Sequence, residues 1–490
     1  MDPTGEAAIR IRGLPRRPAR AQGPWSWIAA LTLLACTIAL CSNRVHNGDV
    51  YVQLASGRFV TEHGLVWHDP FPTIAAHQPW RNQQWLAEVL FYNVTRVVGL
   101  TGLTIVYALL LGAPLFCLLS YCRRKGRWML LAGATLYVPV LYAILHPRAA
   151  GFTLLAFSLL GILAIKGSEA RSPTQPGRRL RRSLVAIPAL FVVWANLHGG
   201  FIAGLLLIAL VAAGLAIDRL RGLPGSPRWR DIGALAMAGV LGFAATFVTP
   251  LGPGIWSYAL SFRNPSLRLA TSEWASALDS TLPTVYLVIA AGFAAWLWHR
   301  APRPRSAMPL LVTCGFLLAS TYSLRNLILV APAILFQIAR SAPDRDEPAS
   351  RGALLIAGSA TVAAALTWSL LLGPAHRPPV SSQIVAYAIA HPPPSGRIAT
   401  IAGTGSYLLW RSPNTPVLID GWLEHFSATQ LRGAYGVVDG NPAAIPYIER
   451  WHIGAIITRH LRALRTLEAQ GFVPLYTNSH GAYLVRRTAH

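Results

Sequence analysis

Runs of about twenty apolar residues recur along most of this chain, and short loops rich in arginine separate them. An apolar helix of that length spans the hydrocarbon core of a bilayer and satisfies its backbone hydrogen bonds internally. Only 13% of the 490 residues are charged, against about a quarter in a typical soluble protein. The pattern therefore predicts an integral membrane protein with about eleven transmembrane helices.

The apolar runs divide the chain into three regions. Residues 1–23 are basic and rich in proline, which predicts a disordered cytoplasmic N-terminus. Residues 24–373 are predicted to form the membrane domain, with a large first outside loop at 43–99, and residues 374–490 an extracytoplasmic α/β domain. The first span is predicted at Pro24–Ser42, and the others are predicted to begin near Leu100, Arg127, Ala149, Leu184, Phe201, Ile232, Pro283, Ala307, Arg325 and Gly352.

The distribution of positive charge orients these spans. The net charge of +24 would indicate nucleic-acid binding in a soluble protein, but here the basic residues cluster in short loops between apolar runs. With the N-terminus inside, every dense Lys/Arg cluster between spans falls on the inside, as the positive-inside rule requires. The interpretation is a multi-pass protein of the bacterial inner membrane, in contact with membrane lipids and with no nucleic-acid partner.

The segment after residue 373 alternates between strand-like and helix-like runs. Leu461 to Gln470 is predicted to be a helix, and Gly471 is its C-terminal stop. Strands are predicted at Arg397–Ile401, Val417–Ile419, Ile453–Ile457, Phe472–Tyr476 and Tyr483–Val485. The expected fold class is thus an all-α polytopic membrane domain with a small C-terminal α/β domain.

The unusual polar residues fall at predicted outside junctions. Asp49 lies shortly after the first span, and Asp69 lies between His68 and Pro70. The apolar positions around Val50 to Val60 suit an amphipathic helix at the interface. The alternative interpretation is that Asp49 caps that helix and that Asp69 starts a turn. The further candidates are His198, Asn196, Glu273, Arg81, Arg148 and Arg325, the last two with interfacial snorkelling as the alternative.

Carboxylates, histidines and arginines on one membrane face suit transfer from a phosphate leaving group. A carboxylate takes the proton from an incoming hydroxyl, and arginine binds phosphate bidentately. No Walker-type phosphate loop, zinc motif or serine-nucleophile turn is present, and no zinc-type pattern involves the five cysteines. Outside the cell, where nucleotide sugars are absent, a lipid-linked donor fits this chemistry.

This organisation resembles the GT-C superfamily of membrane glycosyltransferases, which includes oligosaccharyltransferases, protein mannosyltransferases and aminoarabinose transferases. The resemblance rests on many spans, a long first outside loop, an Asp just after the first span and a C-terminal extracytoplasmic domain. The local motifs are similar to those of a group of bacterial GT-C-like proteins. They are Gly48-Asp49 with Gly57-Arg58, His68-Asp69-Pro70-Phe71 with Trp80 and Trp85-Leu86, Trp194 to Gly200, and Leu418-Ile419-Asp420-Gly421.

The resemblance implies a polyprenyl-phosphate sugar donor, an inverting transfer and a catalytic carboxylate in the first outside loop. Asp49 matches that position best, Asp69 second, with His68 beside it. Family members often carry another acid in the second outside loop, whereas here that loop is His146-Pro147-Arg148. Because this acid is missing, the loop supplies no carboxylate ligand, which puts metal dependence in doubt. A divalent cation, Mg²⁺ or Mn²⁺, is kept as a candidate cofactor without a clear ligand set. The Trp-Trp-Asp acceptor motif of oligosaccharyltransferases is absent, which argues against glycosylation of sequons.

Two other functions compete with this one. A non-enzymatic transporter or flippase for lipid-linked glycans would also need many spans, and an assembly factor would carry a degenerate site. Transporters tend to place charges near mid-membrane and to show repeated halves, and neither pattern is clear in this sequence. The leading hypothesis is a glycosyltransferase with Asp49, Asp69 and His68 as catalytic candidates and Arg148, His198, Asn196, Arg325, Glu273 and Arg81 as phosphate- or substrate-binding candidates.

Overall fold

The structure is a computed structural model, and it describes residues 28, 30–32, 34–35, 48–144, 146–168, 178–260, 272–344 and 382–487. Apart from a few residues, the predicted first span Pro24–Ser42 lies outside these ranges. So do the predicted N-terminal region 1–23 and the predicted span near Gly352.

The membrane region is helical. Each predicted start between Arg127 and Arg325 coincides with a helix to within a few residues. The helices are α1 (Gly48–His63), α2 (Trp85–Tyr121), α3 (Arg127–Ala143), α4 (Ala150–Ser168), α5 (Arg178–Leu197), α6 (Phe201–Leu220), α7 (Trp229–Ala245), α8 (Gly254–Ala259), α9 (Thr281–Arg300), α10 (Ala307–Tyr322) and α11 (Val330–Ser341). Short 3-10 turns lie at Ser272–Trp274, Ala277–Asp279 and Leu324–Leu329.

Several of these helices have the length and composition of membrane spans. Within the described ranges, five are long and apolar enough to cross a bilayer, and α3, α5 and α10 contain shorter apolar helices. They pack closely where glycine faces a large side chain. A methyl group added at Gly161 of α4 would lie 2.0 Å from the ring of Phe336 on α11. Such close approach stabilises helix pairs in lipid, where no hydrophobic force drives helices together.

Helix α2 begins earlier than its predicted start at Leu100. Its 37 residues run from Trp85, with a kink at Gly99, whose φ is 71°. Residues that carry a side chain rarely adopt that φ angle, so glycine at this position permits the bend. The prediction of a first outside loop at 43–99 therefore assigned the first part of this helix to the loop.

Helix α1 is buried within the protein. Every residue from Val50 to Gly57 is buried, so the prediction of an amphipathic helix with one apolar side towards lipid is wrong. One side of α1 packs against α2, and another packs against a helix of the C-terminal segment, α13 (Ala402–Arg411). The sequence predicted one apolar side, and a partner 352 residues away along the chain covers the second side.

The C-terminal segment contains a four-stranded sheet in the order β1-β2-β4-β3. Strand β1 pairs parallel with β2, while β4 pairs antiparallel with both β2 and β3. The strands are β1 (Arg397–Ala399), β2 (Ile453–Thr458), β3 (Phe472–Asn478) and β4 (Gly481–Arg486), and the other helices of this segment are α12 (Ser382–Ala390), α14 (Ala428–Val438), α15 (Pro446–Arg450) and α16 (Leu464–Glu468). The predicted terminal hairpin and the stop at Gly471 are present.

The predicted strand Val417–Ile419 is only an isolated bridge to Ile398. This segment nevertheless connects the C-terminal region to the loop between α1 and α2. Val417 N–H donates to the Pro72 carbonyl, and Ile74 N–H donates to the Leu418 carbonyl. The first outside loop thus extends the edge of the C-terminal sheet.

Candidate active site

Four charged side chains from distant parts of the chain form one ion network. Arg148 Nη2 lies 2.8 Å from Asp49 Oδ2, and Arg148 Nη1 pairs with Glu273 Oε1. The second oxygen of Glu273 lies 3.3 Å from Arg325 Nε. The sequence predicted that Asp49, Arg148, Glu273 and Arg325 lie at outside junctions, and the structure brings these four together.

Asp49 lies in the first turn of α1, where the helix dipole favours a negative charge. One turn later, Gln53 holds the loop that carries Arg148. Gln53 Nε2 donates to the carbonyls of Asp49 at 2.9 Å and Pro147 at 3.4 Å, and Ala149 N–H donates to Gln53 Oε1 at 3.2 Å. Gln53 is 4% exposed, so this clamp is shielded from water. The sequence analysis missed Gln53, whose only signal was a polar side chain in a buried helix.

Glu273 is fixed by contacts with the end of α10. Ser323 Oγ donates to the Glu273 carbonyl at 3.1 Å, and Leu324 N–H donates to the Ala275 carbonyl at 2.9 Å. Trp274 next to it stacks under Arg325, whose guanidinium carbon lies 4.3 Å from the ring centroid. The stacked ring and the Glu273 carboxylate fix the direction of the Arg325 side chain.

His198 lies at the end of a hydrogen-bond chain that fixes its tautomer. Trp194 Nε1–H donates to Thr153 Oγ1 at 2.9 Å, and Thr153 Oγ1 lies 2.7 Å from His198 Nδ1. Gly200 N–H also donates to His198 Nδ1, at 3.2 Å. Because Nδ1 accepts the amide hydrogen, it carries no proton of its own, and the neutral ring has its hydrogen on Nε2.

The charges of this network set the protonation states of its members. Burial lowers the pKa of His198, and the positive charges of Arg325 and Arg148 add to this, so its pKa is about 3. Burial raises the pKa of Glu273, but Arg148 and Arg325 outweigh it, and the pKa lies below its usual value. Burial lowers the pKa of Arg148, yet Asp49 and Glu273 raise it well above its usual range. These pKa shifts keep Glu273 and Arg148 charged and the nearby His198 neutral at neutral pH.

The side-chain amide of Asn196 makes hydrogen bonds that connect the surrounding helices. Its Nδ2 donates to the carbonyls of Val192 and Val248, both at 2.8 Å, and its Oδ1 accepts from Trp85 Nε1 at 3.0 Å. Arg81 is exposed and donates to Ser257 Oγ at 3.0 Å. Both residues were predicted to bind phosphate or substrate. In the structure, Asn196 connects the start of α2 to the loop after α7, and Arg81 connects the segment before α2 to α8.

Asp69, the second catalytic candidate in the predicted first outside loop, lies in a second cluster with the C-terminal segment. It is 1% exposed, its Oδ1 accepts from Phe71 N–H at 2.9 Å, and its Oδ2 accepts from His425 Nδ1–H at 2.9 Å. The turn that the sequence allowed is therefore present. His68, which precedes Asp69, is exposed.

Asp420 belongs to the same second cluster and is 0% exposed. Its Oδ1 accepts from Trp422 N–H at 2.9 Å, whereas its Oδ2 has no hydrogen-bond partner within the described part of the chain. Burial and the negative charge of Asp69 raise the pKa of Asp420 to about 7. For His425, burial lowers the pKa but the hydrogen bond with Asp69 outweighs it and raises the pKa. The motifs around Asp69 and Asp420, far apart in sequence, thus meet in space.

A divalent cation finds little support in these geometries. In the ranges that the structure describes, no three His, Cys, Asp or Glu side chains are grouped to hold a metal ion. Asp49 and Glu273 are both bound by Arg148, which lies between them.

The arrangement of many apolar helices, a long first loop and a C-terminal α/β segment that covers it is the fold of GT-C glycosyltransferases. Archaeal oligosaccharyltransferase AglB from Archaeoglobus fulgidus, in complex with an inhibitory peptide and a dolichol-phosphate, matches with a TM-score of 0.51 and 11% identity over 88% of this chain and 69% of AglB. ArnT from Cupriavidus metallidurans, bound to undecaprenyl phosphate, matches with a TM-score of 0.50 and 16% identity over 94% of this chain and 98% of ArnT.

At these identities the likeness shows the fold alone. No family model and no curated protein matches the sequence. The chain is a membrane-integral protein with the GT-C fold, as the sequence resemblance predicted.

Proposed function

We propose that this protein is a membrane glycosyltransferase that moves a sugar from a polyprenyl-phosphate-linked donor to an acceptor on the extracytoplasmic face. Asp49 is the general base, and the transfer inverts the configuration at the sugar carbon. The protein has about eleven spans in the bacterial inner membrane, with its N-terminus in the cytoplasm. Residues 374–490 form an extracytoplasmic domain.

The observation that carries this proposal is the Asp49–Arg148–Glu273–Arg325 network. The side chain of Asp49 is 39% exposed although Arg148 binds it, so an acceptor hydroxyl is able to approach the carboxylate. Arg148 holds that carboxylate in a fixed position, and a carboxylate is a group that can accept the proton of a hydroxyl. A base and a second guanidinium held in one network are the parts that transfer from a phosphate leaving group needs.

Arg325 is the group that binds the donor phosphate. Its Nε contacts Glu273 and its planar face lies on Trp274, and these two contacts hold the guanidinium in one orientation. The side chain is 39% exposed. A guanidinium edge fixed in this way offers two parallel N–H donors to a phosphate. His198, neutral with its hydrogen on Nε2, supplies a further donor close to the same charges.

In the reaction the acceptor hydroxyl gives its proton to Asp49 as its oxygen attacks the anomeric carbon. The bond between that carbon and the phosphate oxygen breaks, and polyprenyl phosphate leaves with the bonding electron pair. Attack from the side opposite to the leaving group inverts the anomeric centre. The dolichol-phosphate and undecaprenyl phosphate bound in the two structural neighbours support a lipid-linked donor of this kind.

Contacts between loops support the proposed topology. The predicted outside junctions contact one another through Arg148, His198 and Glu273. The predicted inside junctions also contact one another, because Lys125 pairs with Asp344 at 2.7 Å and Arg221 donates to the Arg305 carbonyl at 3.2 Å. Reporter fusions near Gln175 and near Ala390 test this, and a cytoplasmic signal from the second fusion would contradict the span count.

The deciding experiment incubates the detergent-purified protein with a radiolabelled polyprenyl-phosphate sugar and a crude envelope fraction as acceptor. We expect label to move from the lipid to acceptor in the wild type and not in the Asp49→Asn variant. The exposed Asp439→Asn substitution is the matched control and retains activity. A transporter would instead move the labelled lipid across a vesicle membrane without cleaving it, and that outcome would reject the transferase proposal.

A further inference from the structure

The guanidinium of Arg148 lies directly between two carboxylates. One terminal nitrogen, Nη2, contacts Asp49 Oδ2 at 2.8 Å, and the other, Nη1, contacts Glu273 Oε1. Two acids from distant parts of the chain that face one positive centre resemble the carboxylate pairs that help to bind divalent cations. In this chain the guanidinium of Arg148 supplies the positive centre.

We propose that Arg148 is a built-in cation that takes the place of a divalent metal ion between Asp49 and Glu273, so that this site holds its two acids without a metal. The inference uses the proposed function only in assigning Asp49 to the reaction. The position of the cation and its effect on metal binding are properties of the folded protein.

The charges of the network already balance. Two carboxylates, Asp49 and Glu273, face two guanidinium ions, Arg148 and Arg325. A divalent cation added here would meet a guanidinium at each side and would have to displace Arg148 from its two partners. A divalent cation and a guanidinium ion in contact with the same carboxylates repel each other strongly in a partly buried site. The network therefore disfavours metal binding while Arg148 is in place.

Arg148 is also held in position by its backbone. The Gln53 clamp binds the residues on both sides of it through the Pro147 carbonyl and the Ala149 amide. The Arg148 side chain is only 22% exposed. A clamped backbone and two ion pairs make displacement by a dissolved cation costly, whereas removal of the side chain leaves two facing acids with space between them.

The first test measures Mn²⁺ binding to the wild type in a neutral maltoside detergent by electron paramagnetic resonance. We expect the signal of free Mn²⁺ to be unchanged at equimolar protein. Stoichiometric binding that Asp49→Asn or Glu273→Gln abolishes would overturn the inference. This readout requires no transferase activity, so it is independent of whether the proposed function is correct.

The second test uses Arg148→Met, which keeps the aliphatic length and removes the charge. The variant should be less stable than the wild type, and Mn²⁺ should raise its melting temperature by at least about 2 °C in a saturable way. The control is Arg325→Met, which leaves Arg148 between its two acids and should show no response to Mn²⁺. The double variant Arg148→Met with Glu273→Gln should also lose the response.

The outcomes of the two tests separate the proposals. A folded Arg148→Met protein that ignores Mn²⁺ would overturn the inference, since the two acids would then not form a cation site. If Arg148→Met does not fold, the measurement on the wild type decides. If the wild type shows no glycosyl transfer but gives the expected Mn²⁺ results, the proposed function is rejected and the inference stands.

Discussion

Asp69 and His425 are 356 residues apart in sequence, yet Asp69 Oδ2 accepts a hydrogen bond from His425 Nδ1 at 2.9 Å. The two side chains are almost completely shielded from solvent, with 0% and 8% of their surface exposed. A buried carboxylate paired with an imidazole in this way holds the first outside loop against the C-terminal segment. The nearby buried Asp420 makes the strength of this connection depend on pH.

Asp420→Asn should stabilise the protein at high pH. Because the folded-state pKa of Asp420 is about 7 and the ordinary value is about 3.8, the folded state holds the extra proton between these values. Stability is therefore lost as pH rises through that window, and the raised pKa of His425, which faces Asp69, acts in the same direction. The negative charges of Asp69 and Glu424 also face Asp420.

An asparagine at position 420 keeps an acceptor for Trp422 N–H and removes the charge. We expect a gain of about 1–3 kcal/mol at pH 8 and a clearly smaller gain near pH 4, close to the pKa of the unfolded state. Thermal unfolding in detergent across this range measures it, with Asp439→Asn as the exposed control. An equal gain at both pH values would contradict the assignment of the pH dependence to Asp420.

Asp49→Asn should lower turnover by roughly two to four orders of magnitude, the usual contribution of a general base. Asparagine keeps the shape and loses the basic oxygen, so donor binding and expression should change little. Labelled-donor turnover and equilibrium donor binding measure the two effects separately. If this variant is fully active while Asp69→Asn is inactive, then Asp69 is the base and the assignment made here is wrong.

Arg325→Ala should weaken donor binding more than it slows the bound reaction. A hydrogen bond to a charged group contributes about 1.5–3 kcal/mol, which predicts roughly 10- to 150-fold weaker binding of a polyprenyl phosphate. The control is Arg228→Ala, an exposed arginine at the start of α7. Equal affinity for wild type and Arg325→Ala would exclude Arg325 as the phosphate-binding group.

His198 should remain neutral, with its hydrogen on Nε2, from pH 8 down to pH 5. Its pKa of about 3 lies below that range because of burial and the charges of Arg325 and Arg148. Nitrogen NMR of histidine-labelled protein measures the tautomer, with His198→Gln to assign the signal. Arg325→Met should raise the pKa, since it removes a positive neighbour, whereas a doubly protonated ring at pH 6 in the wild type would disprove the assignment.

Gly57→Ala should destabilise the contact between α1 and α2. A methyl group at this position would lie 2.1 Å from the Glu88 carbonyl oxygen, and such overpacking costs about 1–3 kcal/mol. Gly233→Ala in α7 is the matched control, because nothing lies within 4 Å of its added methyl group. That control should be neutral or stabilising in thermal unfolding, and two equal losses would contradict the packing argument.

The sequence predicted most helices of the membrane region because lipid imposes a length and an apolar composition on each span. It also predicted the terminal hairpin and the helix stop at Gly471, which depend on local backbone preferences. It did not predict the burial of α1, since the helix that covers it, α13, is distant in sequence. Apolar positions on more than one side of Gly48–His63 were the available signal.

The candidate site was predictable in its members but not in its connections. The rule that charges are costly at membrane depth selected Asp49, Arg148 and Arg325. Which acid pairs with which arginine depends on tertiary packing, and the sequence contained no spacing that links Glu273 to both arginines. For the same reason the Gln53 clamp and the contact between Asp69 and His425 appear only in the folded structure.

Arg58 of α1 donates to the carbonyls of Leu409 and Trp410, at 2.9 and 3.0 Å, at the end of α13. During synthesis, α1 leaves the ribosome long before its partner helix does. Until then, a helix that is buried in the finished protein has one uncovered side, with an arginine that lacks its acceptors. A chain that stops before residue 402 would thus lose the cover over α1, and we expect quality-control proteases to degrade it faster than the full-length protein.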